Sequence, residues 1–217
     1  MTADGARAMA EQLDIDQREG RTLDEFLAEY YLEDGDLYDL ENFANTEPGS
    51  TWAYSNVATG LMGYIIEFTS GMSFDEYVKT QILQPLGMTQ STYNISEVDI
   101  NNMAKWYLDK ETPVPLYAND SYVEGSMFTN NEDFGKYLLY MINGVQGMST
   151  KLFSKNGYDI LFADQLSPGI VPSDFADNHG IFWIKEGNML KHGGNSIGVS
   201  AYIELNQLSN DGYTFMT

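Results

Sequence analysis

Residues 47–88 read EPGSTWAYSNVATGLMGYIIEFTSGMSFDEYVKTQILQPLGM. Pro48-Gly49 makes a turn, after which Val57, Leu61, Tyr64, Ile65 and Phe68 recur at the spacing of a helix with one apolar face. Gly71 is placed to end that helix, because glycine takes the left-handed conformation without a Cβ penalty. Ser73-Phe74-Asp75-Glu76 is a capping box, in which the serine hydroxyl takes one free backbone N–H and the glutamate takes another. The helix it opens carries Tyr77, Val78, Ile82 and Leu83, and Pro85 with Gly87 should stop it. Two neighbouring helices are therefore expected, with Tyr54-Ser55-Asn56 at the entrance to the first.

Upstream, Thr22-Leu23-Asp24-Glu25 is another capping box, leading into Phe26, Leu27 and Tyr30. Residues 1–20 are polar with sparse apolar positions, and a loose helix or an unanchored tail is expected there. Downstream, Thr129-Asn130-Asn131-Glu132 caps a helix containing Phe134, Leu138, Met141 and Ile142, with Gly144 after it, and a shorter helix should begin at Ser149. Around Gly180 the period changes. Residues 181–184, 189–191, 199–205 and 213–216 read as short strands, joined by turns at Glu186-Gly187-Asn188 and 206–212. Helices first and an antiparallel meander last make the expected fold class α+β. The expected divisions are a polar segment over 1–21, a mainly helical region over 22–178 and an antiparallel sheet segment over 179–217. Residues 214–217 read as the middle of a buried strand, so an unpaired apolar sheet edge is expected, and both ends look cut.

Composition narrows the chemistry. The 217 residues are long enough to bury a substantial core, and 15 Tyr, 11 Phe and 3 Trp supply it. A formal charge of −21 argues against nucleic acid or an anionic membrane surface as partner. No cysteine is present, which removes disulfides, a thiol nucleophile and thiolate metal ligands. Two histidines and no H-E-x-x-H spacing make a zinc site unexpected, and no metal or cofactor is expected. The first residues carry no basic stretch followed by an apolar one, and no apolar run reaches the ~18 residues a membrane span needs. The compartment stays open on these grounds.

Two short motifs carry chemistry. Tyr54-Ser55-Asn56 precedes a helix, and Lys191-His192-Gly193-Gly194-Asn195-Ser196-Ile197-Gly198 lies in the strand-rich segment. With Trp52, the Pro85-Leu86-Gly87-Met88 stop and Gly125-Ser126-Met127-Phe128-Thr129 before Glu132-Asp133-Phe134, they occur in an order and spacing that resemble the serine β-lactamase and penicillin-binding-protein superfamily. The class C-type β-lactamases, DD-peptidases and β-lactamase-like esterases are equally similar. The resemblance covers roughly residues 22–217 and implies a β-lactamase/transpeptidase-like fold.

It also implies roles. Acyl transfer needs an activated hydroxyl, a proton shuttle and donors for the developing oxyanion. Tyr54 would move the proton, its phenol lowered from ~10 by nearby cations, of which His192 would be one. Asn56 would bind the substrate's amide carbonyl, although its place equally suits a helix N-cap. Gly193 and Gly194 would leave a strand edge bare for substrate to pair with, and the Asn195 N–H would face the oxyanion. The family's third motif, Ser-x-x-Lys, supplies the nucleophile. No serine here has a lysine three residues on, and neither Ser126 nor Ser196 has a local activating partner. The expectation is a truncated, catalytically incompetent hydrolase scaffold that binds a small molecule or peptide. The alternatives are a non-catalytic ligand-binding relative, or an interaction module whose unpaired sheet edges take a complementing chain or a second copy.

Overall fold

The computed structural model describes residues 21–117, 119 and 121–217. The expectation for residues 1–20 lies outside them. Five helical segments precede a sheet among the described residues: α1 (Leu23–Tyr31), α2 (Asn56–Ser70), α3 (Phe74–Val78, continuing through a π-helical stretch Lys79–Leu83 into Gln84–Leu86), α4 (Asn131–Val145) and α5 (Lys155–Phe162). The strands β1 (Asn178–His179), β2 (Ile184–Glu186), β3 (Met189–Ser196), β4 (Val199–Asn206) and β5 (Asp211–Met216) form one antiparallel sheet in sequence order. The α+β reading, helices then a meander, describes the molecule.

Local signals explain most boundaries. α1 starts with the Thr22 capping box in place, and the Thr22 N–H donates to the Glu25 carboxylate at 2.9 Å. α2 ends at Gly71, whose φ of 69° is the left-handed value the sequence asked for. Other boundaries differ. Pro85 does not stop its helix but sits inside the last turn. The π-helical stretch before it, where the Gln84 N–H reaches the Lys79 carbonyl, widens the coil against which a proline ring would otherwise press. α5 begins after Ser154, whose hydroxyl accepts from the Gly157 N–H, and not at Ser149. Gly144 lies within α4 because the Tyr158 ring rests on it, so that an added Cβ would come 2.1 Å from the ring.

The largest correction concerns residues 181–183 of the strand expected over 181–184, since Ile184 does open β2. Their β-branched and aromatic side chains read as a strand, but 180–183 is the tight turn between β1 and β2. Gly180 N–H donates to the Trp183 carbonyl at 2.7 Å, and Phe182 takes a φ of 61°. Burial of Trp183 against Phe162 of α5 wins over local β propensity. β3 in turn is longer than expected and contains the whole His-Gly-Gly motif.

Among the described residues two large apolar clusters and a smaller one around Val114 and Tyr117 form the core. Leu23, Leu27, Phe74, Val78, Leu83, Leu86, Met88 and Val123 pack α1, α2 and α3 together. Leu138 and Met141 of α4 and Tyr158 and Phe162 of α5 pack on Trp183 and on Leu190, Ile203 and Leu205 of the sheet. Leu190 and Leu205 are register partners, so one sheet face is buried under α4 and α5. His192 follows Leu190 by two positions and so lies on that face, where the sheet meets the helices.

Candidate active site

Tyr54 lies two residues before α2, and the N-cap of that helix is Ser55, whose hydroxyl accepts from the Ala58 N–H at 3.2 Å. Capping is thus done by Ser55, and Asn56 occupies the first helical position with its side chain exposed. Tyr54 is itself 57% exposed, and its ring centre is 6.2 Å from that of His192. The helix motif and the strand motif, 138 residues apart in sequence, therefore meet.

A second contact fixes this approach. Trp52 packs its ring on Phe175, with centroids 4.5 Å apart, and on His179 at 5.3 Å. Phe175 and His179 are themselves stacked, with rings 3° from parallel. The extended segment leading into α2 is thereby fastened to the β1 hairpin, and Tyr54 follows from it. The sequence offered Trp52 only as part of a motif, and nothing local to His179 points to this contact.

The strand side of this contact is open. β2 pairs with β3 only as far as Ile184 opposite Lys191. From His192 to Ser196 the backbone edge away from β4 has no strand neighbour among the described residues, and Gly193, Gly194 and Asn195 are exposed. The Asn195 side chain turns to β4, where its Oδ1 accepts from Ser200 Oγ at 2.8 Å. Beyond the motif, Tyr117 Oη hydrogen-bonds Ser196 Oγ and donates to the Ile197 carbonyl at 3.3 Å. Trp106 packs edge-on against Tyr117, so residues 106–117 wall the β3–β4 turn with aromatic rings. Ser126 Oγ is enclosed without a hydrogen-bond partner. Neither of the two serines weighed as a substitute nucleophile is bonded to an imidazole or an amine.

Electrostatics depart from the expected arrangement. Burial pushes the His192 imidazole below its usual range, against a smaller opposing effect of the Gly193 backbone. His179 is lowered as well, by burial and then by His192. The Tyr54 phenol is raised, first by burial and then by the Glu124 carboxylate. Within this chain His192 is thus not the cation that lowers Tyr54. Glu124, which the sequence reading did not single out, is the charged group that acts on the phenol. Among the described residues no group of three or more His, Asp or Glu could hold a metal ion.

The profile of the beta-lactamase family matches residues 14–208. Penicillin-binding protein 4* of Bacillus subtilis is 32% identical over 107 residues, which is 48% of this chain and 21% of that protein. Among solved structures, an octameric penicillin-binding protein homologue from Pyrococcus abyssi superposes with a TM-score of 0.67 at 24% identity, covering 89% of this chain and 47% of its own. D-amino acid amidase from Ochrobactrum anthropi, complexed with L-phenylalanine amide, superposes with a TM-score of 0.62 at 18% identity, covering 79% of this chain and 50% of its own. These two likenesses are of fold. The chain spans half or less of the length of each of the three.

Proposed function

The chain belongs to the beta-lactamase family, and from that premise we propose that it forms the tyrosine and strand side of a serine-hydrolase cleft for small amides or esters. Tyr54 is the proton-transfer group, Asn56 and the open edge at Gly193, Gly194 and Asn195 hold the substrate, and His192 stands beside the phenol. The contact between the Tyr54 and His192 rings carries this reading, since it joins two motifs that nothing in the local sequence requires to meet. The unpaired edge from His192 to Ser196 supports it, because an extended substrate can add to it as a strand.

The 217 residues hold no Ser-x-x-Lys, so the chain by itself binds substrate without forming an acyl-enzyme. The test is intact-mass spectrometry before and after a fluorophosphonate and a penicillin, with nitrocefin and p-nitrophenyl butyrate as turnover substrates. No adduct and no turnover are expected. Turnover that disappears in Tyr54→Phe would sink the claim of incompetence while keeping Tyr54 in its role. A second reading, an interaction module, is favoured by Met62, Ile65 and Phe68, which leave one side of α2 exposed and apolar.

A further inference from the structure

We propose that Glu124 is a specificity-determining residue that receives a protonated amine of the substrate, so that this cleft takes small amides or esters bearing a free ammonium group. The proposal rests on the reading of the cleft given above and narrows its substrate class.

Glu124 ends a short 3-10 turn (Tyr122–Glu124) that lies directly on α2. Two glycines on that helix make the close approach possible. A Cβ on Gly60 would come 2.5 Å from Ser121 Oγ, and one on Gly63 would come 2.4 Å from a Val123 methyl. The turn is therefore seated over the first half of the helix that Tyr54 leads into. Ser121 is buried, and its hydroxyl donates to Glu124 Oε2 at 2.7 Å, which fixes the direction of the carboxylate. On the other flank, Gly125 has open space where a side chain would stand.

The carboxylate is half-buried. Among the described residues no lysine, arginine or histidine forms an ion pair with Glu124. Burial raises its pKa, with the Ser121 hydroxyl opposing, because the charged form is less well solvated there than on an open surface. An arriving ammonium relieves that cost by supplying a charge-assisted hydrogen bond. Among the described residues the basic side chains of the strand region are otherwise engaged. Both imidazoles are held toward their neutral forms, Lys191 points to the other face of the sheet and pairs with Glu186, and Lys185 pairs with Asp164. Glu124 adds to the rise that burial gives the Tyr54 phenol, and a carboxylate so placed repels a substrate carboxylate.

The experiment is calorimetric binding at pH 6.5 of three ligands of one shape: phenylalanine amide, N-acetylphenylalanine amide and N-acetylphenylalanine, each in its D and L forms. They present a cation, a neutral group and an anion, and the amine is protonated at that pH because its usual pKa is about 7.7–8.0. Chemical shifts of the His192 and Tyr54 rings report that binding is in the cleft. The amine is expected to bind about tenfold or more tightly than its acetylated form, and Glu124→Gln is expected to bring the two within about twofold. A preference for the amine that survives Glu124→Gln, or tighter binding of the carboxylate, overturns the proposal and leaves the cleft reading intact. Binding of none of the three overturns both. Should Glu124→Gln not fold, the ranking in the unaltered chain decides: amine first supports the proposal, and any other order rejects it.

Discussion

Tyr54 meets the His192 ring with burial and a carboxylate both set against its ionisation. A phenol serves as base only when its anion is stabilised, yet burial and then Glu124 both act against that anion. The two causes can be separated. In Glu124→Gln the carboxylate is gone while the packing of Ser121 and Val123 against α2 is kept, so the Tyr54 pKa should fall. It should nevertheless remain above the ordinary value, because burial, the larger cause, persists. A titration of the Tyr54 ring carbon by NMR, with Tyr54→Phe to assign the signal, measures both. An unchanged midpoint in the variant would show that Glu124 is too well screened to act on the phenol. What would lower the phenol further is a cation brought to the cleft, and a substrate ammonium on Glu124 is such a group.

At the scale of elements, the join between the end of α3 and the start of α4 depends on one carboxylate. Asp133 is 1% exposed, accepts from the Gln90 N–H at 2.7 Å and from Ser91 Oγ at 3.0 Å, and takes Lys136 at 2.7 Å. Lys136 also donates to the Gly87 carbonyl, which closes α3 onto α4. Asp133→Ala strips partners from three donors at once and should cost about 3 kcal/mol in urea unfolding. The carboxyl is lowered overall: burial raises it, but Lys136, Gln90 and Ser91 together outweigh burial. A lowered acid stabilises the fold above the unfolded value of about 3.9 and loses that contribution as pH falls through the folded value. Unfolding midpoints should therefore drop below pH 4 in the parent chain and drop less in Asp133→Asn.

The same elements show what was legible in sequence. Thr22 and Gly71 act within a few residues of themselves, and their positions in α1 and α2 are the ones read from the sequence. Ser73 holds the N-cap position of α3 but makes no capping hydrogen bond, and the Phe74 N–H donates instead to Glu67 at 2.8 Å. Residues 181–183 and Gly144 answer to neighbours distant in the chain, Phe162 and Tyr158, and local propensity misread both. In the candidate site, Tyr54 and His192 stood out because each belongs to a short motif. Glu124 did not, because its place depends on Gly60 and Gly63, two small residues within a helix whose apolar spacing explained everything else about it.

For the whole molecule the dominant quantity is charge. With 32 acidic and 11 basic side chains, repulsive pairs of acidic groups outnumber the attractive pairs that basic groups can supply. At 0.01 M salt the screening length is about 30 Å and spans most of a molecule of this size, whereas at 0.15 M it is about 8 Å. Ion pairs such as Lys79–Glu97 and Arg21–Glu29 are short-ranged and lose less on that change than the repulsion does. Raising NaCl between these limits should therefore raise the melting temperature by about 2–5 °C, on the order of 1 kcal/mol for a chain of this length. Ligand association should move in the opposite sense. The same field draws an ammonium toward Glu124, so its association rate should fall over the same salt range, while that of the neutral acetylated ligand stays level. Stopped-flow binding beside thermal melts in one salt series tests the pair. A melting temperature that falls with salt would mean that local ion pairs outweigh the long-range repulsion. An amine whose association rate ignores salt would mean that its recognition is confined to the contact at Glu124.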